Sequence, residues 1–179
     1  MTEPAVFVDR DGTLCEFVPY LSDPDRFRLL PTVPEGLRAL NEAGVPVVVT
    51  TNQSGIGRGY FDRATVERVH ETMLESLSAA DAEVHDVYFC PHEPAANCDC
   101  RKPEPGLLQS AATDHDLALS RSYMVGDRET DVRAGNRVGA TTVLFPSVET
   151  EIARDATAAD HVVDEFRELV GIVLGERAI

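Results

Sequence analysis

Apolar residues in this chain come in blocks of two kinds. The short kind ends abruptly in polar side chains. Residues 5–8 run into Asp9-Arg10-Asp11-Gly12, 45–49 into Thr50-Thr51-Asn52-Gln53-Ser54, and 123–125 into Gly126-Asp127. Such short, Val-rich runs predict strands buried on both faces. Residues 84–89, 140–145 and 161–163 extend the set. The longer kind spaces its apolar residues helically, as with Val66, Val69, Met73, Leu74 and Leu77 on one face of 62–80. Helices are expected over 34–43, 62–80, 105–115, 130–138 and 164–174, with Gly44 as a stop, Asp62 as an N-cap and Pro105 at a start. Strand and helix alternate, which predicts an α/β fold. We expect a single doubly wound (Rossmann-like) parallel sheet of about five to six strands in one domain over residues 1–179. No insertion is long enough for a separate cap domain.

In open sheets of this kind, ligands sit beyond the carboxyl ends of the strands. Asp9 and Asp11, Thr51, the segment 90–102, and Asp127 with Asp131 all fall there. Asp9 and Asp11 repel unless a positive charge lies between them, and a hard cation fits. Asp-x-Asp-Gly alone could be a solvated turn, but the other strand ends weigh against that. Phe17 and Tyr20 lie in a long polar loop over 15–31, where they either line a pocket or pack the loop down. Ser54 and the following glycines offer a hydroxyl and backbone N–H groups suited to phosphate. There is no dinucleotide fingerprint and no nucleophile elbow. His70 reads as a surface or satisfied histidine. Cys90, His92, Cys98 and Cys100 have the donor set of a structural tetrahedral zinc in a zinc-bound loop, the rivals being a Cys98–Cys100 disulfide or an inert cluster. Cys15 stands apart as a small hydrophobe.

Charge sharpens the picture. With 16 basic and 31 acidic residues the chain carries net −15, which disfavours nucleic acid and anionic membrane as partners. The sequence contains neither a membrane-length apolar run nor a signal-peptide pattern, so a cytoplasmic location with reduced thiols is expected. Lys102 is the single lysine among the basic residues, as if a compact point charge were needed there. Asp9 and Asp127, with the carbonyl of Asp11, could hold Mg²⁺ against a phosphate monoester. Asp9 is then the nucleophile, Asp11 the acid and base, and Thr51 and Lys102 the stabilisers of the phosphoryl oxygens.

These residues resemble the haloacid dehalogenase-like phosphatases. DRDGTL, VVVTTNQSG, the lysine of CDCRKP and MVGDRETD are similar to the four motifs of that family, and the resemblance covers about residues 6–145. Within it, the chain looks like the zinc-containing, capless group. The resemblance implies Asp9, Asp11 and Asp127 around Mg²⁺, Cys90, His92, Cys98 and Cys100 on Zn²⁺, and Arg101 in substrate recognition. It leaves the role of Asp131 open. TNQSGIGRG is similar to the members acting on D-glycero-D-manno-heptose 1,7-bisphosphate, which lose the 7-phosphate. The short CPHEPAANCDC spacing and GDRETD are similar to those acting on histidinol phosphate. Of these two the heptose bisphosphate, a small sugar phosphate, is the favoured substrate, and histidinol phosphate is the alternative. Phe17, Tyr20, Asn52, Gln53, Ser54, Arg58, Arg101 and Arg128 are the candidate substrate-binding residues. The extra arginines suit a second phosphate. A monomer is expected. A phospho-acceptor signalling domain is the alternative of another class, though it would have no use for Asp11 or for zinc.

Overall fold

Strand β1 (Val6–Val8) lies between β2 (Val47–Asn52) and β4 (Tyr123–Gly126), parallel to both. In this computed structural model, which describes residues 2–146 and 156–175, β3 (Asp86–Cys90), β5 (Thr141–Leu144) and β6 (His161–Val162) complete a sheet ordered β3-β2-β1-β4-β5-β6. The expected domain limits, residues 1 and 179, lie outside the described residues. The chain leaves β1 in one direction and returns at β4 on its other side. This is the switch point where such sheets open a crevice.

Both faces of β1 are apolar because both are covered. Val6 and Val8 join Val47, Val49 and Val125 under α1 (Val33–Glu42), α2 (Arg63–Ser78) and α5 (Phe166–Leu174). Ala5 and Phe7 face the other way with Val48 and Met124, against α3 (Gly106–Asp114) and α4 (Glu129–Arg137). The strict two-residue alternation explains why continuous apolar runs mark these strands. Asp62 caps α2, its carboxylate accepting from Thr65 N at 2.8 Å.

Two local differences from the sequence expectation matter. β2 runs on through Thr50, Thr51 and Asn52, because β3 pairs with it as far as Asn52 opposite Cys90. Tertiary pairing outweighs the polar composition, and it fixes Thr51 and Asn52 rigidly at the rim. The 15–31 loop is anchored rather than loose: Leu21 and Phe27 are buried in the core and Cys15 bridges Leu29. Among the described residues, no helix is long and apolar enough to cross a membrane.

Candidate active site

Asp9 leaves the end of β1 with its backbone N–H donating to Val125 O at 2.9 Å, which ties it to β4. Asp127 leaves the end of β4, and Asp131 lies in the first turn of α4, its Oδ2 accepting from Arg128 N at 3.1 Å. Gly126 permits this approach: a Cβ there would lie 2.2 Å from Asp131 Cγ. One oxygen from each of Asp9, Asp127 and Asp131 falls within 4.8 Å of the others, and all three residues are buried. Three carboxylates converging in a buried site are the donor set of a hard cation.

Lys102 answers part of this charge. Its Nζ donates to Asp9 Oδ1 at 2.8 Å, to Asp131 Oδ1 at 2.6 Å and to Thr50 O at 2.6 Å, with the side chain 2% exposed. Burial pulls the ammonium toward neutrality, but the carboxylates of Asp131 and Asp9 prevail and hold it above the usual lysine range. Asp9 moves up to about 7. Burial is the main cause, Lys102 opposes it, and the charges of Asp131, Asp127 and Asp11 add to it. Asn52 positions the lysine through the main chain, donating from Nδ2 to Lys102 O and accepting from Lys102 N at Oδ1, both at 3.0 Å. Asn52, expected to bind substrate, therefore spends its amide on the Lys102 peptide.

The Asp11 carboxylate stands outside the carboxylate group. Arg10 holds it, with Nη2 at 3.0 Å from Oδ1 and 2.9 Å from Oδ2. The Asp11 carboxylate is thereby engaged by Arg10, and Asp131 is the third carboxylate beside Asp9 and Asp127. Gln53, another expected substrate ligand, is buried and donates to Asp11 Oδ2 and Thr51 Oγ1, both at 2.9 Å. Gly12, at φ 83°, makes the turn that follows.

Above this floor opens a cavity of about 360 Å³. Its lining includes Asp9, Asp11, Thr51 and Lys102, and also the expected Phe17, Tyr20, Asn52, Gln53, Ser54, Arg58, Arg101 and Arg128. Arg128 lies over the Phe17 ring at 5.3 Å, and Arg101 donates to His92 O at 3.2 Å. The Tyr20 ring meets Tyr60 edge-on at 4.8 Å. Tyr60 was not anticipated; its only signal is an aromatic directly after Gly57-Arg58-Gly59. Arg10 and His70 were likewise not expected to be buried together beside Asp11.

Cys90 ends β3, and His92, Cys98 and Cys100 follow in the loop that leads to Lys102. Cys90 Sγ lies 2.9 Å from Cys100 Sγ and 3.6 Å from both Cys98 Sγ and His92 Nδ1. Three thiols and an imidazole nitrogen on one point form a set for a tetrahedral, sulfur-preferring cation. Cys15 is separate and fully buried, with Sγ 3.4 Å from Arg10 O.

The HAD-hydrolase-like family matches residues 99–169. The D-glycero-beta-D-manno-heptose-1,7-bisphosphate 7-phosphatase of Salmonella typhi is 38% identical over 174 residues, covering 93% of this chain and 93% of that protein. The enzyme of the same name from Haemophilus ducreyi is 38% identical over 181 residues, covering 97% of this chain and 100% of the relative. The crystal structure of D,D-heptose 1,7-bisphosphate phosphatase from B. bronchiseptica, complexed with magnesium and phosphate, superposes with a TM-score of 0.84 at 29% identity. It covers 97% of this chain and 99% of that one.

Proposed function

The chain belongs to the HAD-like hydrolases and is a phosphatase; on that premise we propose that it removes the 7-phosphate of D-glycero-D-manno-heptose 1,7-bisphosphate. The observation that carries the mechanism is the buried Asp9–Asp127–Asp131 group with Lys102 on it, at the strand switch point and on the floor of an arginine-walled cavity. Asp9, Asp127 and Asp131, with the carbonyl of Asp11, would hold Mg²⁺. When bound, the cation neutralises the crowded carboxylates and polarises a phosphoryl oxygen.

The residues divide the reaction into two displacements. Asp9 attacks phosphorus while the bond from phosphorus to the sugar oxygen breaks, and Asp11 gives that oxygen a proton. The ammonium of Lys102 covers Oδ1 of Asp9, which leaves Oδ2 as the oxygen for attack. Asp11, now ionised, takes a proton from water as the water attacks the aspartyl-phosphate, freeing inorganic phosphate and Asp9. Lys102 and the Thr51 hydroxyl oppose the charge on the equatorial oxygens. Arg58, Arg101 and Arg128 provide the positive wall that a second phosphate needs on a protein of net −15. Cys90, His92, Cys98 and Cys100 would hold structural Zn²⁺ and so fix the approach of Arg101 and Lys102.

The test is phosphate release, in Mg²⁺, from the heptose bisphosphate and from histidinol phosphate side by side. We expect kcat/KM to favour the bisphosphate by about tenfold or more, a difference of about 1.4 kcal/mol in transition-state binding. A preference for histidinol phosphate would overturn the substrate assignment and leave the phosphatase chemistry in place.

A further inference from the structure

Arg10 is the only buried arginine among the described residues, at 0% exposure between two aspartates. A guanidinium is taken out of water at a large penalty unless its donors are matched. Those of Arg10 are matched on two sides. Nε and Nη2 fork onto the Asp11 carboxylate at 3.1, 3.0 and 2.9 Å. Nη1 lies 3.0 Å from Nε2 of His70.

His70 is buried on α2 between Val69 and Met73, which also pack in the core, and its ring meets Phe89 edge-on at 5.5 Å. Burial first, and the neighbouring Arg10 charge second, push the imidazole down to about 3 against the pull of Asp11. It is therefore neutral, and Nε2 accepts from the guanidinium. A fixed helix thus orients a fixed imidazole, which orients a guanidinium, which grips a carboxylate in two-pronged geometry. Gln53 donates to Oδ2 of the same carboxyl, which keeps a face open to the cavity.

We propose that Arg10 and His70 are positioning residues for proton transfer, holding the Asp11 carboxyl at the leaving-group side of the site and away from the Asp9–Asp127–Asp131 group. The proposal rests on the reading of Asp11 as the proton donor. Without Arg10, Asp11 is free to rotate, and the proton is no longer delivered where the bond to the leaving oxygen breaks. Binding of the phosphoryl group, which falls to Thr51 and Lys102, is unaffected.

Leaving-group dependence separates this role from a merely structural one. para-Nitrophenolate leaves without a proton, whereas the alkoxide of benzyl phosphate needs one. In Mg²⁺, Asp11→Asn serves as the reference. It is expected to depress kcat with benzyl phosphate far more than with para-nitrophenyl phosphate. Arg10→Met is expected to lower kcat about 100-fold with benzyl phosphate and less than about threefold with para-nitrophenyl phosphate, with KM little changed. His70→Phe, which removes the acceptor for Nη1 and leaves Arg10 in place, gives the same asymmetry at about tenfold. His70→Gln restores an acceptor oxygen and with it the rate. If Arg10→Met does not fold, the His70 pair carries the test alone. Equal losses with both esters in the Arg10 or His70 variants, alongside an asymmetric Asp11→Asn, would overturn the positioning role only. A symmetric Asp11→Asn would overturn the acid role of Asp11 and the proposal with it.

Discussion

The carboxylates of Asp9, Asp127 and Asp131 are brought together by the ends of β1 and β4, far apart in sequence, and by the start of α4 that follows β4. Cys90, His92, Cys98 and Cys100 are gathered within one short loop. The first group exists because the sheet exists: β1 pairs with β4, and the acids have no choice but to meet. They are buried and of like charge, an arrangement that the surrounding fold must sustain. In the second group only Cys90 is buried, while Cys98 and Cys100 are half-buried and His92 is exposed, and a bound cation would fold the loop around it. Lys102 belongs to both. It is carried by the loop and ends on the carboxylates, so the loop serves the sheet. The carboxylates are thus held by long-range structure, and a locally built loop delivers the buried Lys102 to them.

The largest effect that would break this division comes from Asp9→Asn. Turnover should fall by about 10⁴-fold or more, while thermal unfolding of the metal-free protein shows no loss of Tm. A large fall in Tm would mean that the rim supports the fold rather than the reaction. Cys100→Ser comes next. Zinc content should drop and kcat fall about 10–100-fold as Lys102 loses its mooring, with far-ultraviolet circular dichroism unchanged. Unchanged kcat in a zinc-free variant would sever the loop from the site.

Asn52→Ala sharpens the comparison at the junction itself. It removes both hydrogen bonds to the Lys102 peptide and should lower kcat about tenfold, in keeping with about 1.4 kcal/mol of lost positioning. A change in KM alone would return Asn52 to substrate binding. The smallest effect lies at Asp160, a carboxylate that serves only the fold. Its depressed pKa comes first from the backbone N–H of Thr142 and then from the Thr142 hydroxyl. A depressed acid stabilises above its unfolded value of 3.8 and loses that contribution as pH falls through the folded value. Asp160→Asn should therefore lower Tm by about 1–3 °C at neutral pH, and the difference from wild type should vanish in strong acid. A difference independent of pH would contradict the assigned cause.

The same contrast explains what the sequence made legible. The strands were readable because apolar runs covered on both sides admit no polar residue until the rim, so Asp9 and Asp127 announce where β1 and β4 stop. The thiol set was readable because its members are close in sequence. Asp131 as a third carboxylate, and Lys102 as its partner, were not readable, since they meet only when the loop after β3 folds back over the sheet. Asn52 and Gln53 line the cavity, in keeping with their polar stretch, but the bonds of their amides to the Lys102 main chain and the Asp11 carboxylate depend on the folded rim and had no signal in the sequence. Arg10 was hidden for a simpler reason. An arginine between two aspartates reads as solvated until its guanidinium is seen to be fully enclosed by Asp11 and His70.

The central claim is that the carboxylate rim performs covalent phosphoryl transfer through Asp9. Its most direct test is acid quenching of the Mg²⁺-loaded protein during turnover of the heptose bisphosphate, followed by peptide mass mapping. A phosphoryl adduct on the peptide containing Asp9, absent from Asp9→Asn, is the predicted result. An adduct on another residue, or undiminished phosphate release by Asp9→Asn, would contradict the account.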